Sequence, residues 1–385
     1  MFHDSTKKSP NQYYNLGKHG GVLSIDLKAL YKNYKNISSF ANNCVVASTV
    51  KANGYGLGLE KVAETLYYAG CRVFFVSHLS EAIRLNDIMK FKKIIIYILN
   101  GLPENSIDEY IKGKFRPVIG SLEELHDWVN YNDPKKLPPI ALNIETGFTR
   151  LGLYQKDLDM VASIIKDKKN INVSLIMSHL ACAEDKDSNM NTKQLSLFKK
   201  AAKGFSDIPR SLCNSAGLFC GKNYHLELIR PGISLYGGYE NIFKDLTIHP
   251  VVSLHVPIIQ IKEVSRDVRI GYDATYKVNK KTLVGLISIG YADGFIRSLS
   301  SDNNKKKANA YINGIKTPII GRVSMDITAI DLTNVPNEYC KRGKLVEILG
   351  PNQNIDQLSK NAGTISYEIL SRLGSRFKRV YNDLT

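Results

Sequence analysis

From residue 22 to about residue 235 the sequence alternates short apolar runs, rich in Val and Ile, with longer amphipathic stretches. Strand-like runs fall at 44–50, 72–76, 92–99, 116–120, 139–145, 171–179, 209–213 and 225–229. Helical periodicity lies between them, at 59–70, 79–89, 104–111, 121–131, 156–167 and 191–204. A further helix is expected just after Asp26, which reads as an N-cap before apolar residues at 27, 30, 34 and 37. Ser121 and Glu124 have capping-box spacing. Alternation of this kind implies a parallel sheet covered by helices. About eight β-then-α units fit a closed (β/α)8 TIM-like barrel better than an open doubly wound sheet.

After about residue 240 the texture changes. Strand-like runs separated by turn signals dominate, and Asn313-Gly314 predicts a hairpin. Helical character returns only near 355–363 and 366–376. The expected organisation is a flexible N-terminal arm at 1–21, a barrel at 22–240 and a C-terminal, mostly β domain at 241–385.

Composition narrows the function. The formal charge is +16, from 52 basic and 36 acidic residues, but the lysines are dispersed and no basic stripe is interleaved with aromatics. A nucleic-acid partner is therefore not expected, whereas anionic small molecules are favoured in clefts. The six cysteines form no CxxC pair, and no His/Cys cluster has zinc spacing, so reduced thiols and no metal site are expected. The longest apolar run, at 94–99, suits a buried strand rather than a membrane span. The N-terminal residues are polar and carry no apolar signal-like core, so a cytoplasmic location is expected.

In a barrel, the C-terminal ends of the strands form the active face. Lys51 ends the first strand, Arg150 follows the fifth, His179 ends the sixth, Asn214 and Ser215 follow the seventh, and Arg230 follows the eighth. Each alone has an ordinary structural reading, and Lys51 alone reads as a solvated strand end. Together they converge on one mouth. A partly desolvated lysine has a lowered pKa and forms a Schiff base with an aldehyde. The glycines after Lys51, with Ser215, Gly232 and Ile233, offer donors to a phosphate. That pairing fits pyridoxal phosphate.

The segment VKANGYGLG, at 50–58, resembles the cofactor-lysine motif of alanine racemases. The resemblance runs from 22 to about 380, through TGFTRLGL, SHLACAED, NSAG, RPGISLYG, IGYDATY, IGYADGF, GRVSMD and TISYE in the family's order. It implies a pyridoxal phosphate enzyme that interconverts L- and D-alanine with two bases and supplies D-alanine for peptidoglycan. Lys51 would bind the cofactor and act as one base. Tyr272 would be the other, reaching in from the second subunit of a homodimer whose active sites are shared. Arg150 would contact the cofactor's phenolic oxygen and the substrate carboxylate, and Arg230 the pyridine nitrogen. His179 would bond Arg230, and Asn214 would lie among the cofactor contacts. Tyr55, Ser215, Gly232, Ile233 and Tyr367 would hold the phosphate. Met325 would offer its backbone N–H to the substrate carboxylate, and Tyr291 would line the entry.

The chain also departs from the family. Asn143 stands where many members carry a carbamylated lysine that braces the arginine, so the Asn143 amide, with or without a bound chloride, is expected to brace Arg150. Leu57 replaces a common histidine and Ile327 a frequent glutamine. The closest alternative is a broad-specificity amino acid racemase, a group that also lacks the lysine but tends to be exported. Single-domain pyridoxal phosphate barrels lack a β domain, and the motifs of the related decarboxylases are not evident.

Overall fold

The computed structural model describes residues 16, 18–41, 43–168, 171–239, 246–304 and 308–382. Most of the arm expected at 1–21, and the boundary expected at 240–241, lie outside these residues. The chain divides into two compact units. Residues 30–249 form one; the segment up to residue 29 and residues 250–385 form the other. Among the described residues, no helix is long and apolar enough to cross a membrane.

The unit at 30–249 is the barrel. Its first strand is split into Val45–Val46 and Ser48–Thr49. Val73–Val76, Ile95–Ile98, Arg116–Ile119, Ile140–Asn143, Val173–Met177, Arg210–Ser211 and Leu228–Ile229 follow. Every pairing is parallel. The split explains how the sheet closes. The second half of the first strand pairs forward with Phe74 and Phe75, and the first half pairs back with Leu228 and Ile229. The Ala47 N–H completes the seam by donating to the Ile229 carbonyl at 3.0 Å. On the other side of the eighth strand, Arg230 N–H donates to the Cys213 carbonyl at 3.0 Å.

The interior is packed rather than open. Phe75 stacks on Tyr97 with centroids 4.9 Å apart. Small residues, Ala47 and Ala141, make room among Val118, Leu175, Met177 and Leu228. Alternating large and small side chains fill a tapering barrel in layers. The helices obey the expected caps in part. Asp26 accepts from Ala29 N–H at 2.9 Å at the start of the helix Leu27–Phe40. Ser121 accepts from Glu124 N–H at 3.2 Å, but the Glu124 carboxylate does not return to Ser121. It takes Gly120 N–H at 2.6 Å and Leu102 N–H at 3.0 Å instead, tying the ends of two adjacent strands. The barrel's own ends are held together by Asn33, which is fully buried. Its amide donates to the His249 carbonyl at 2.9 Å and accepts from His249 N–H at 2.7 Å.

The second unit is mostly β, as expected. Its long strand Val252–Val264 pairs antiparallel with Leu345–Leu349 and Thr282–Ile287. The Asn313-Gly314 turn has φ of 49° and 79° and joins Asn309–Ile312 to Ile315–Pro318 as a hairpin. Two positive φ values match the type I′ turn that such a pair favours. One assignment from the sequence is corrected. The strand Gly21–Asp26 does not belong to the barrel: it lies antiparallel to Val252–Val264 and parallel to Phe377–Asn382. Its apolar alternation is equally suited to either unit, and its partners lie far downstream in the chain.

Candidate active site

Lys51 begins where the first strand stops. Ala52, Asn53, Gly54 and Tyr55 all take left-handed backbone conformations, with φ of 53°, 57°, 64° and 54°. Each L-residue there costs roughly 1–2 kcal/mol, so the turn must be held by its surroundings. Gly54 N–H donates to the Val50 carbonyl at 2.9 Å and Gly56 N–H to the Ala52 carbonyl at 2.8 Å. The turn carries Tyr55 back into the barrel, where it is 6% exposed and stacks on Tyr236 at 4.5 Å. Burial lowers the pKa of the Lys51 amine and the Arg150 charge lowers it further, while Glu81 opposes both. An amine so placed has more of its neutral, nucleophilic form at neutral pH.

Arg230 is 5% exposed and fully engaged. It donates to the Ser211 hydroxyl, to the Ser178 carbonyl at 2.6 Å and to His179 Nδ1 at 3.3 Å. Burial pulls its pKa down to about 10, so it stays charged at neutral pH. Burial, then the charges of Arg230, Arg150 and Lys51, hold the His179 imidazole well below its usual pKa. His179 is therefore neutral. Its Nδ1 lies 3.3 Å from the Arg230 guanidinium and its Nε2 3.4 Å from the Asn214 amide nitrogen.

Arg150 rides on the loop after Ile140–Asn143. The Glu145 carboxylate accepts from Gly147 N–H and from Thr149 N–H, the latter at 2.9 Å, and shapes the loop. The Arg150 guanidinium lies over the Phe148 ring at 4.2 Å, and that ring meets His179 edge-on at 5.5 Å. Here the expectation for Asn143 is corrected. Its amide donates to the Leu151 carbonyl at 2.8 Å, so it braces the loop backbone and not the guanidinium, which rests on Phe148.

A cluster of hydroxyl and amide groups lies on the loops after the seventh and eighth strands. Ser215 is buried, and its hydroxyl accepts from Gly232 N–H at 2.8 Å and Ser234 N–H at 3.3 Å. Asn214 Oδ1 accepts from Gly217 N–H at 2.8 Å and fixes the turn. Gly232 lies against the Tyr55 hydroxyl so closely that a Cβ there would stand 2.2 Å from it. Ile233 opens the short helix Ile233–Tyr236 directly after it. Lys51, Tyr55, Arg150, His179, Asn214, Ser215, Arg230, Gly232 and Ile233 thus all belong to the barrel unit, on loops at the C-terminal ends of its strands.

The remaining candidates belong to the other unit. Tyr291 and Met325 are neighbours: Tyr291 N–H donates to the Ser324 carbonyl and Ala292 N–H to the Met325 carbonyl, both at 3.0 Å. Arg376 braces this pair of turns through Asp293 at 2.6 Å and Asp326 at 2.7 Å. The Tyr291 and Met325 side chains are exposed, and so is Tyr272, 66% exposed on a turn whose Asp273 pairs with Arg322. Tyr367 is half-buried on the helix Ser366–Ser371. Leu57 is fully buried and acts in packing.

Three residues of the site were not found from sequence. Phe148 supports Arg150. Gln194, fully buried, donates to Thr146 at 3.1 Å and the His179 carbonyl at 2.8 Å, joining the loops that carry Arg150 and His179. Glu81 binds the backbone beside Lys51. The polar positions of Gln194 and Glu81 within amphipathic helices give no signal in one sequence.

Fold and site together define a (β/α)8-barrel protein with a lysine, two arginines and a histidine on the loops of its mouth, joined to a β domain. Comparison with known proteins is more specific. A family model described as alanine racemase, N-terminal domain, matches residues 25–240, and one described as alanine racemase, C-terminal domain, matches 251–381. A catabolic alanine racemase from Agrobacterium fabrum is 38% identical over 366 residues, covering 95% of this chain and 93% of that protein. An alanine racemase from Brucella abortus is 38% identical over 377 residues, covering 94% and 93%. The crystal structure of alanine racemase from Bartonella henselae with covalently bound pyridoxal phosphate has a TM-score of 0.88 at 33% identity, covering 94% of this chain and 99% of that one. The chain belongs to the alanine racemase family.

Proposed function

We propose that this protein interconverts L- and D-alanine with pyridoxal phosphate held covalently by Lys51. The observation that carries the reading is the convergence of Lys51, Arg150, His179 and Arg230 on one barrel mouth. The residues fit the cofactor: an amine of lowered pKa for its aldehyde, and in the same unit the Ser215 hydroxyl, the Gly232 amide and the Tyr55 phenol packed closely together. Tyr55, Asn214, Ser215, Gly232, Ile233 and Tyr367 would serve the phosphate end, and Arg230, His179 and Arg150 the ring. When bound, the cofactor withdraws electrons from the substrate's α-carbon and makes its proton removable.

The chain's own residues do the rest. Arg150 holds the substrate carboxylate as a bidentate partner. Lys51 Nζ takes or returns the α-proton on one face. Tyr272 of the partner subunit does so on the other through its hydroxyl oxygen, so that inversion needs no movement of either base. Lysine and tyrosine ordinarily titrate near 10.4 and about 10, and burial of Lys51 brings its amine toward the working range. Arg230 remains a guanidinium and stabilises charge without surrendering a proton. The exposed Tyr272, Tyr291 and Met325 suit a homodimer with shared sites. The role we assign is supply of D-alanine for peptidoglycan in the cytoplasm. Relatives named for alanine favour this substrate over a broad-specificity racemase.

The test is a visible spectrum of the purified protein, borohydride reduction, and a chiral assay on L-alanine. A reducible visible band and D-alanine formation are expected. Lys51→Ala should lose both, and Tyr272→Ala should keep the band and lose racemisation. Undiminished racemisation in either variant would refute the two-base assignment.

A further inference from the structure

The left-handed turn after Lys51 is tied to the rest of the barrel by one carboxylate. Glu81 Oε1 accepts from Ala52 N–H at 2.6 Å, and its Oε2 accepts from Ser77 N–H at 2.8 Å and His78 N–H at 3.3 Å. Glu81 sits in the first turn of the helix Leu79–Ile88, where an acid also favours the helix N-terminus. One side chain therefore joins the end of the second strand to the residue directly after Lys51. It does so where four successive residues hold left-handed conformations, two of them, Ala52 and Tyr55, with little intrinsic tolerance for it.

We infer that Glu81 is a positioning residue for Lys51: by holding the Ala52 amide it fixes the backbone from which the lysine amine enters the mouth. The inference rests on the reading of Lys51 as the cofactor lysine. Glu81 is also the anion acting on that amine, raising the pKa that burial and Arg150 lower.

The fold contains a natural control. Glu124, in the first turn of Leu122–Val129, ties Gly120 N–H and Leu102 N–H in the same manner. Its tie lies between the third and fourth strands, whose ends carry none of the site residues. If such acids only stitch strand ends together, shortening either should have the same consequence. If Glu81 orients Lys51, only its shortening should reach the chemistry.

The experiment compares the holoenzymes of wild type, Glu81→Asp, Glu81→Ala and Glu124→Asp. Aspartate keeps the charge near the helix N-terminus but falls short of Ala52 by about 1.5 Å, one carbon–carbon bond. Three readouts are taken: melting temperature, the rate at which hydroxylamine bleaches the visible band of lysine-bound cofactor, and kcat and KM for L-alanine. Loss of the charge-assisted hydrogen bond to Ala52, which both Glu81 variants share, is expected to speed bleaching and lower kcat by about tenfold, with KM unchanged. Glu124→Asp should lower the melting temperature and leave bleaching and kcat at wild-type values. Wild-type bleaching and kcat in both Glu81 variants would overturn the inference, and so would an equal change in Glu124→Asp. A visible band that survives Lys51→Ala would instead remove the reading of Lys51 itself.

Discussion

Gly232→Ala is a direct probe of the pocket beside Lys51. A Cβ at this position stands 2.2 Å from the Tyr55 hydroxyl oxygen and 3.0 Å from the ring carbon that bears it. Ordinary contact begins at about 3.5 Å, so the phenol must retreat by roughly 1 Å. It has little room. Tyr55 is 6% exposed and stacks at 4.5 Å on Tyr236, which is fully buried and anchored by its hydroxyl to the Thr49 carbonyl at 2.9 Å. Overpacking of this kind costs about 1–3 kcal/mol. The cost should appear in cofactor binding, because the cradle needs the phenol where the methyl now sits. Affinity for pyridoxal phosphate should fall about 5- to 150-fold, measured by titrating apoenzyme and following the visible band. The mechanism is isolated by repeating the substitution in a Tyr55→Phe background, where the clashing oxygen is gone. Most of the penalty should then vanish, a coupling that a double-mutant cycle reads directly. An equal loss in both backgrounds, or no loss in either, would refute the steric argument.

Two further outcomes follow from the basic side chains of the mouth. Arg230→Lys removes a planar fork that serves Ser211, Ser178 and His179 at once, and an ammonium cannot reach all three. It should destabilise the protein by about 3–5 kcal/mol, the range for breaking a buried charged network, read by denaturant unfolding. Unchanged stability would show that the network is not structural. His179 has a folded pKa well below its unfolded value near 6.5. Between the two, the unfolded chain binds a proton that the folded chain refuses, so stability rises with pH up to about 6.5 and falls as pH drops below it. His255 is shifted the same way by burial. His179→Gln should flatten the slope between pH 5 and 6.5 by up to about 1.4 kcal/mol per pH unit, and an unaltered slope would contradict the assignment.

Much of this was legible in the sequence because the barrel is written in local patterns. Runs of Val and Ile mark Val73–Val76 and Ile95–Ile98, and Lys51, His179 and Arg230 stand where those patterns stop. What escaped was non-local. Gly21–Asp26 has a strand's alternation, but nothing local says that its partners are Val252–Val264 and Phe377–Asn382. The brace for Arg150 was misplaced because it depends on the loop's return path, which lays Phe148 under the guanidinium and Leu151 against Asn143. Glu81 and Gln194 look like solvated helix positions until the backbone groups they reach are seen.

The Asn33–His249 clasp bears on how the chain is made. The strand Gly21–Asp26 leaves the ribosome before any barrel residue, and its partners emerge only after the whole of 30–249. Closing so long a loop as a random coil carries an entropic cost that grows with the logarithm of its length, about 0.6 kcal/mol per doubling. A barrel that folds first, with Asn33 joining its two ends, shortens that loop to a few residues on either side. The early strand then waits close to where its late partners are delivered. The order of folding, barrel before β unit, would thus draw on one buried asparagine, whose amide holds the carbonyl and the N–H of His249 together with the Leu235 carbonyl.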